Sequence, residues 1–572
     1  MRRGMVAFLI AQLIILLIAR VGEAQTPKAD PLRSLANFGL SPRTGGAARL
    51  ADAQAVRTRL GLDPEYRDVP GLASIKVAVL DYGFDGMGQG RPYLPQNAVM
   101  VEHYDPEFIK RYGLGDPSYR KGFEPGNRHG RIMAQIAWAV TGSRPEGPRF
   151  YLLNANGPTM LRRAVRFAID QKVDVILFSG SFEGGGNGDG RGPINRIVGE
   201  ALSAGILWVN ASGNYGRSVY NGPVKVLKDG YLRLRDGKDV ASLRFRNRLD
   251  ENSVTITLTW NDYREDEDAG TDKDLDLYVE DWAGRQIGAG DKKQVSGQRQ
   301  AGSDESRNPR ERIVLANLAA NPDVPSDPDY TYRIRVKSRR GQFRPSDRIR
   351  ILLTASRDVY IPPNGGSPEP AVEFLDASSE EEIYPPADHP LVLTVGDSSP
   401  ASSIGPTADR RIKPDVILED SRAFFTDGQV SGGSSDAAAY VAGVVAVLKA
   451  AQPSLRPQDL IRIAQQGQLV SEVMKGRSQP AATSTATPTR TVVASNGTIR
   501  IPTTRSNAGV PQPPLPRFPG TGSTPIPRTN STASTKSAVP SPPPPSTLSL
   551  QSLRIWKTPT RAKLAEILRS GR

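Results

Sequence analysis

The carboxylate of Asp81, the imidazole of His129 and the hydroxyl of Ser435 are the groups whose types and order suit nucleophilic acyl transfer. A serine hydroxyl is a poor nucleophile at neutral pH. It needs a base to take its proton, a carboxylate to orient that base, and donors for the oxyanion that develops on the attacked carbonyl. Each requirement has a candidate. Asp81 closes the apolar run Val77-Ala78-Val79-Leu80, and His129 stands before Gly130 where a helix should open. Asn214 ends the stretch Asn210-Ala211-Ser212-Gly213, and Ser435 follows Gly432-Gly433-Ser434 at the head of a run of small apolar residues. A serine at a helix N-terminus has its own N–H and the helix dipole beside the developing negative charge; Asn214 would supply the second donor.

Any one of these has a dull explanation, since Asp81 could cap a turn and His129 or Ser435 a helix. Their joint order is what argues. The histidines are His103, His129 and His389, all before Ser435, so an arrangement needing its histidine after its serine is excluded and the order Asp, His, Ser remains. A histidine-first order belongs in antiparallel barrels, which this sequence does not suggest. His103 and His389 are too isolated to act as metal ligands.

The elements that must position these groups follow from hydrophobic pattern. From Ser74 to Ala211, short apolar runs at 75–80, 99–102, 150–153, 173–178 and 206–210 alternate with helical patterns after His129, over 160–170 and over 193–204. That alternation predicts a parallel sheet covered on both faces, with its site at the carboxyl ends of the strands. Leu161, Ala164, Val165 and Ala168 should face inward. Between Arg217 and about Val359 the pattern changes to alternating residues and turns, with strands expected at 254–260, 275–280, 312–315, 332–336 and 349–354. These predict an inserted antiparallel β-sandwich. The α/β pattern resumes at 391–395 and ends in a helix over 435–450, so the second unit interrupts the first.

At this point the segments resemble the subtilisin-like serine protease (subtilase) family. Asp81-Tyr82-Gly83 is similar to that family's Asp-Thr/Ser-Gly motif, His129-Gly130 to His-Gly-Thr, Ser212-Gly213-Asn214 to the oxyanion Asn motif, and Gly433-Ser434-Ser435 to Gly-Thr-Ser. The stretches Ser402 to Thr407 and Arg411 to Val416 are similar to the segment before the nucleophile. Ser179, Gly180 and Ser181 fall where the family's substrate-binding strand lies. The resemblance covers roughly 74–214 and 391–465. It implies an endopeptidase with a subtilisin-like α/β fold, working through an acyl-enzyme intermediate. Tyr82, Arg131, Ser434, Asp436 and Ala439 depart from the usual residues; Arg131 and Asp436 bring charge near the site.

The whole chain of 572 residues exceeds one core. The expected division is a signal peptide over 1–24, an extension or short propeptide over 25–73, a catalytic domain over 74–217 and 385–477, and an inserted sandwich over 218–384. A Pro/Ser/Thr-rich disordered linker over 478–550 and a short basic amphipathic helix over 551–572 complete it. The leader reading rests on Arg2-Arg3, an apolar run from Met5 to Ala19 and small residues near Ala24, and it implies an exported protein, secreted or periplasmic. There is no cysteine, hence neither disulfide nor thiol chemistry. Eleven of the fourteen net positive charges lie in 478–572, so the folded body is near neutral and nucleic acid is not an expected partner. The expected partner is a protein or peptide substrate, with the basic tail available to a surface. The chemistry calls for no cofactor or metal. Asp272, Asp274 and Asp276 offer oxygen ligands but lack the Gly and Glu of a calcium loop, and alternation on a solvated strand accounts for them; structural calcium is left without a specific motif.

Overall fold

The computed structural model describes, apart from short internal gaps, residues 71–84, 94–102, 127–465 and 556–557, with isolated positions between 57 and 69. The first strands are β1 (Lys76–Asp81), β2 (Val99–Val101), β3 (Arg149–Asn154), β4 (Val175–Phe178) and β5 (Leu207–Ala211), interleaved with helices α1 (His129–Val140), α2 (Pro158–Asp170) and α3 (Pro193–Ser203). Strands covered on both faces need apolar residues at every position, and β4 and β5 are buried throughout. Alternation splits β1 between the faces. Val77 and Val79 pack with α1, whereas Ala78 and Leu80 pack with α2 and α3. Leu161, Ala164, Val165 and Ala168 are fully buried on α2, as the spacing predicts.

The chain then builds β6 (Val219–Pro223), β7 (Leu243–Asn247), β8 (Asn252–Trp260), β9 (Asp274–Glu280), β10 (Gln286–Gly290), the short β11 (Lys293–Gln294) and β12 (Glu305–Ser306), β13 (Arg310–Leu318), β14 (Tyr332–Arg340), β15 (Arg348–Ala355), the short β16 (Val359–Tyr360) and β17 (Glu369–Pro370), and β18 (Val372–Phe374). Two antiparallel sheets, ordered β10-β9-β14-β7-β18 and β13-β8-β15-β6, enclose a core containing Phe245, Leu258, Leu277 and Ile351. Asp272 is exposed, but Asp274 and Asp276 are buried, contrary to a solvated strand face. At Asp276 side chains replace solvent, since it pairs with Arg339 and accepts from Tyr278 Oη at 2.6 Å, whereas Asp274 Oδ1 is buried with no hydrogen-bond partner. Among the described residues no group of three or more carboxylates, histidines or cysteines is placed to hold a metal ion.

The parallel sheet resumes with β19 (Leu393–Asp397) and β20 (Val416–Leu418), followed by the hairpin of β21 (Ala423–Phe424) and β22 (Val430–Ser431), then α4 (Ser434–Ala451) and α5 (Pro457–Gln465). A two-residue β23 (Trp556–Lys557) pairs antiparallel with β20, giving the order β2-β3-β1-β4-β5-β19-β20-β23. From β1 the order runs outward through β3 to β2 on one side and through β4 and β5 on the other. The crevice at the carboxyl ends of β1 and β4 is therefore the topological switch point. Helix α4 is the one described helix long and apolar enough to cross a membrane, and it is almost wholly buried beside the sheet. A Cβ on Gly443 would stand 2.5 Å from Val140 Cβ, so this glycine sets the close approach of α4 to α1. Leu60 and Leu62 are fully buried in the same core. The expected leader, most of the 25–73 extension and the linker lie outside the described residues, as does the expected C-terminal helix except at 556–557, which form strand β23 on the edge of the sheet instead of a helical turn.

Candidate active site

Strand β1 delivers Asp81 to the crevice, 3% exposed. Its Oδ1 accepts the N–H groups of Tyr82 at 2.7 Å and Gly83 at 2.9 Å, which leaves Oδ2 to accept from His129 Nδ1 at 2.6 Å. His129 opens α1, its backbone N–H held by Asn127 Oδ1 at 3.0 Å, and the Gly83 carbonyl accepts from Arg131 N at 3.0 Å. These bonds fix the strand end and the helix start as one unit. Gly130 is needed because a Cβ there would fall 2.5 Å from Asp81 Cβ and 2.7 Å from Phe84 Cζ. Burial disfavours the charged imidazole, but the Asp81 charge and hydrogen bond, with a smaller contribution from Asp436, raise His129 above the ordinary histidine value.

Asn214 stands just past β5. Its Oδ1 accepts from Ser434 N at 3.2 Å and Ser434 Oγ at 2.9 Å, so the amide is oriented with Nδ2 free to face a ligand oxygen. Gly433 precedes α4 at φ 101°, a region that favours glycine, and a Cβ there would come 3.3 Å from Asn214 Nδ2. Ser435 lies in the first turn of α4. Its Oγ donates to the Ser179 carbonyl at 3.4 Å rather than to His129, and Ser179 Oγ donates to the Ser435 carbonyl at 3.1 Å. Catalytic hydrogen bonds are often loose before substrate arrives, so this geometry leaves the pair available.

The structure thus brings Asp81 and His129 into contact, Asn214 onto the residue before Ser435, and Ser179 against Ser435 itself. Sequence patterns did not single out the parts that hold the segment 179–181. Asn210 Nδ2 donates to the Gly180 carbonyl at 3.0 Å, and Trp208 Nε1 donates to Asn210 Oδ1 at 3.1 Å. A polar residue at the end of an otherwise apolar strand was the signal available. Tyr215, pushed up to about 12 by burial and Glu183, hydrogen-bonds Ser181. The inserted sandwich reaches the loop that follows: Thr257 Oγ1 donates to Glu183 Oε2 at 2.9 Å, while Asn187 and Tyr263 bond reciprocally at 3.0 and 2.9 Å.

Comparison with known proteins finds a family match over part of the chain and remote structural likenesses. A subtilase family model matches residues 334–491, a segment that contains Ser435 but not Asp81, His129 or Asn214. No curated protein matches the chain in sequence. Among solved structures, the Clostridium perfringens CspB protease is 16% identical, with a TM-score of 0.40, over 71% of this chain and 86% of its own. MycP1 from Mycobacterium smegmatis is 16% identical with a TM-score of 0.28, covering 74% and 79%; the self-cleaved protease domain of PatA is 13% identical with a TM-score of 0.29, covering 69% and 88%. The segment that carries the serine, residues 334–491, is thus similar to the subtilase family of serine proteases.

Proposed function

We propose that the chain is an exported endopeptidase in which Asp81, His129 and Ser435 act as a triad and Asn214 with the Ser435 N–H binds the oxyanion. The observation that carries this is the 2.6 Å contact of Asp81 Oδ2 with His129 Nδ1, set against a serine at a helix start on the same crevice. Substrate lies along Phe178 to Ser181 as an added strand, with Ser179, Gly180 and Ser181 as its wall. As Ser435 Oγ bonds to the carbonyl carbon, its proton passes to His129 Nε2, and the oxyanion accepts from Asn214 Nδ2. Collapse breaks the C–N bond, His129 returns the proton to the leaving amine, and water repeats the cycle on the ester. Side chains and backbone supply every group, so no cofactor is required. The basic start, apolar run and small residues of 1–24 support export, and the net positive charge of 478–572 supports contact of the tail with a surface.

The test is fluorophosphonate labelling of the purified protein with mass spectrometry of the adduct. A covalent adduct on Ser435, absent in Ser435→Ala and His129→Ala, is expected. A folded protein that stays unlabelled would sink the reading. Asn214→Ala should lower kcat by about 10²- to 10³-fold with KM little changed, because the amide meets charge that exists only in the transition state. Steady-state kinetics on a peptide substrate checks this.

A further inference from the structure

The acyl-transfer scheme leaves unused a set of contacts between the inserted sandwich and the catalytic body. Arg350 lies on β15 of the sandwich and is 8% exposed. Its Nη1 donates to the Ile383 carbonyl at 3.1 Å, its Nε donates to Asn221 Oδ1 at 3.1 Å, and its guanidinium stands 4.6 Å from the centre of the Tyr384 ring. Residues 383–385 are thereby tied to the sandwich. The Pro385 carbonyl accepts from Phe182 N at 2.8 Å, directly after Ser181, and the Tyr384 ring meets the Tyr215 ring edge to face at 5.4 Å, directly after Asn214. A second bond reaches the same loop, from Thr257 Oγ1 to Glu183 Oε2 at 2.9 Å. Side chains are excluded from the loop by this close approach: a Cβ on Gly184 would stand 2.5 Å from Tyr263 Oη, one on Gly186 would stand 2.8 Å from Pro385 Cγ, and one on Gly188 would strike the Arg350 guanidinium. The near end of the wall is held from within the catalytic body instead. Ser179 exchanges hydrogen bonds with Ser435, the Gly180 carbonyl accepts from Asn210 Nδ2, and Ser434 holds the Asn214 amide.

We propose that Arg350 is a positioning residue for substrate: by fixing 383–385 it braces the far end of the wall, Ser181 to Glu183, so that the sandwich sets how much of a long peptide the enzyme can use. This rests on the reading of 178–181 as the substrate strand and of Ser435 as the nucleophile. An added strand gains affinity through main-chain hydrogen bonds, and the gain is largest when the receiving edge is already ordered as the peptide arrives. A buried guanidinium bonded to two elements and stacked on a ring has one geometry, and a close-packed interior passes that position on to its neighbours. The brace therefore acts on a peptide that reaches past Ser179. A small ester that meets only Ser435 and the Asn214 amide does not feel it, because those groups are held without the sandwich.

The experiment compares kcat/KM for a length series of peptide anilides with that for a small ester, using the full chain and its Arg350→Met variant, which keeps the stem and removes the guanidinium. In the parent, kcat/KM should rise with peptide length. In Arg350→Met that gain should fall about tenfold, the worth of one or two hydrogen bonds, while the ester stays within about twofold of the parent. Loss of folded protein would lower both substrates alike, so the split between them reads position rather than stability. Thr257→Val, which removes only the bond to Glu183, should cut the length gain by about threefold and covers the case of a poorly folding Arg350→Met. Hydrogen exchange at the Phe182 amide should quicken about tenfold in Arg350→Met, and it reads the brace with or without turnover. An active parent whose length gain is kept within about twofold in both variants would overturn the proposal, as would unchanged Phe182 exchange in Arg350→Met. A parent that a fluorophosphonate does not label, with faster Phe182 exchange in the variant, would count against the triad and leave the brace standing.

Discussion

Replacing Asp81 with Asn is expected to lower kcat by about 10⁴-fold while the protein stays folded. Asn keeps an acceptor for the N–H groups of Tyr82 and Gly83, which Asp81 Oδ1 now holds at 2.7 and 2.9 Å, so the end of β1 retains its shape. The other atom becomes an NH₂ donor where Oδ2 now accepts from His129 Nδ1 at 2.6 Å. The imidazole can answer that donor only by presenting an unprotonated Nδ1. Its proton then sits on Nε2, the nitrogen that must take the Ser435 proton, and the base is lost without being removed. Stabilisation of the imidazolium by a full negative charge is lost as well. KM should change little, because the proposed substrate wall at Ser179 to Ser181 is untouched. Kinetics on a peptide substrate, alongside a melting curve, separates the two effects. A loss smaller than about tenfold in a folded variant would mean that Asp81 does not orient His129.

The parts legible in sequence were those whose chemistry forces a local pattern. A strand buried on both faces must be apolar throughout, so 75–80 and 173–178 stood out, and a helix packed centrally against a sheet must be small and apolar, so 435–450 did too. Asp81, His129, Asn214 and Ser435 were readable because each interrupts such a pattern at an element end. Elements whose neighbours carry the burial were not readable. Strand β6 contains Asn221, Gly222 and Pro223, a turn signature, yet it is an edge strand paired to β15, where a missing N–H costs no ladder bond. Strand β10 is Gln-Ile-Gly-Ala-Gly at the opposite kind of edge, paired only to β9. Contacts between distant segments were equally hidden. Nothing in the spacing of Ser434 announces that its hydroxyl fixes the Asn214 amide, and nothing near Glu183 announces that Thr257, in the inserted sandwich, will hold it. The sandwich is therefore bonded to the loop that follows Ser179 to Ser181, a relation that composition and periodicity do not encode.

Lys413→Met should destabilise the catalytic body by about 3–5 kcal/mol, a large part of the 5–15 kcal/mol that separates most folded proteins from unfolding. Lys413 and Asp415 are 2% and 0% exposed, and Lys413 Nζ donates to Asp415 Oδ2 at 2.6 Å and to the Val392 carbonyl at 2.6 Å. Asp415 Oδ2 also accepts from Thr394 N at 2.8 Å, and Asp415 N donates back to the Thr394 carbonyl at 2.9 Å. The pair thus seats the start of β20 on β19, directly upstream of the hairpin that leads into Ser435. Removing the ammonium leaves a buried carboxylate whose Oδ1 already has no partner, facing one backbone N–H. A lone buried charge is far costlier than a buried pair is beneficial, which separates two variants that both lack the ion pair. The single variant should melt roughly 6–15 °C below the parent. Lys413→Met combined with Asp415→Asn removes both charges, keeps an acceptor for Thr394 N, and should recover most of that loss. Calorimetry on the three proteins decides the matter. A double variant as unstable as the single one would place the cost in the lost Val392 bond and the packing of the lysine stem, and would remove the unpaired carboxylate as the cause.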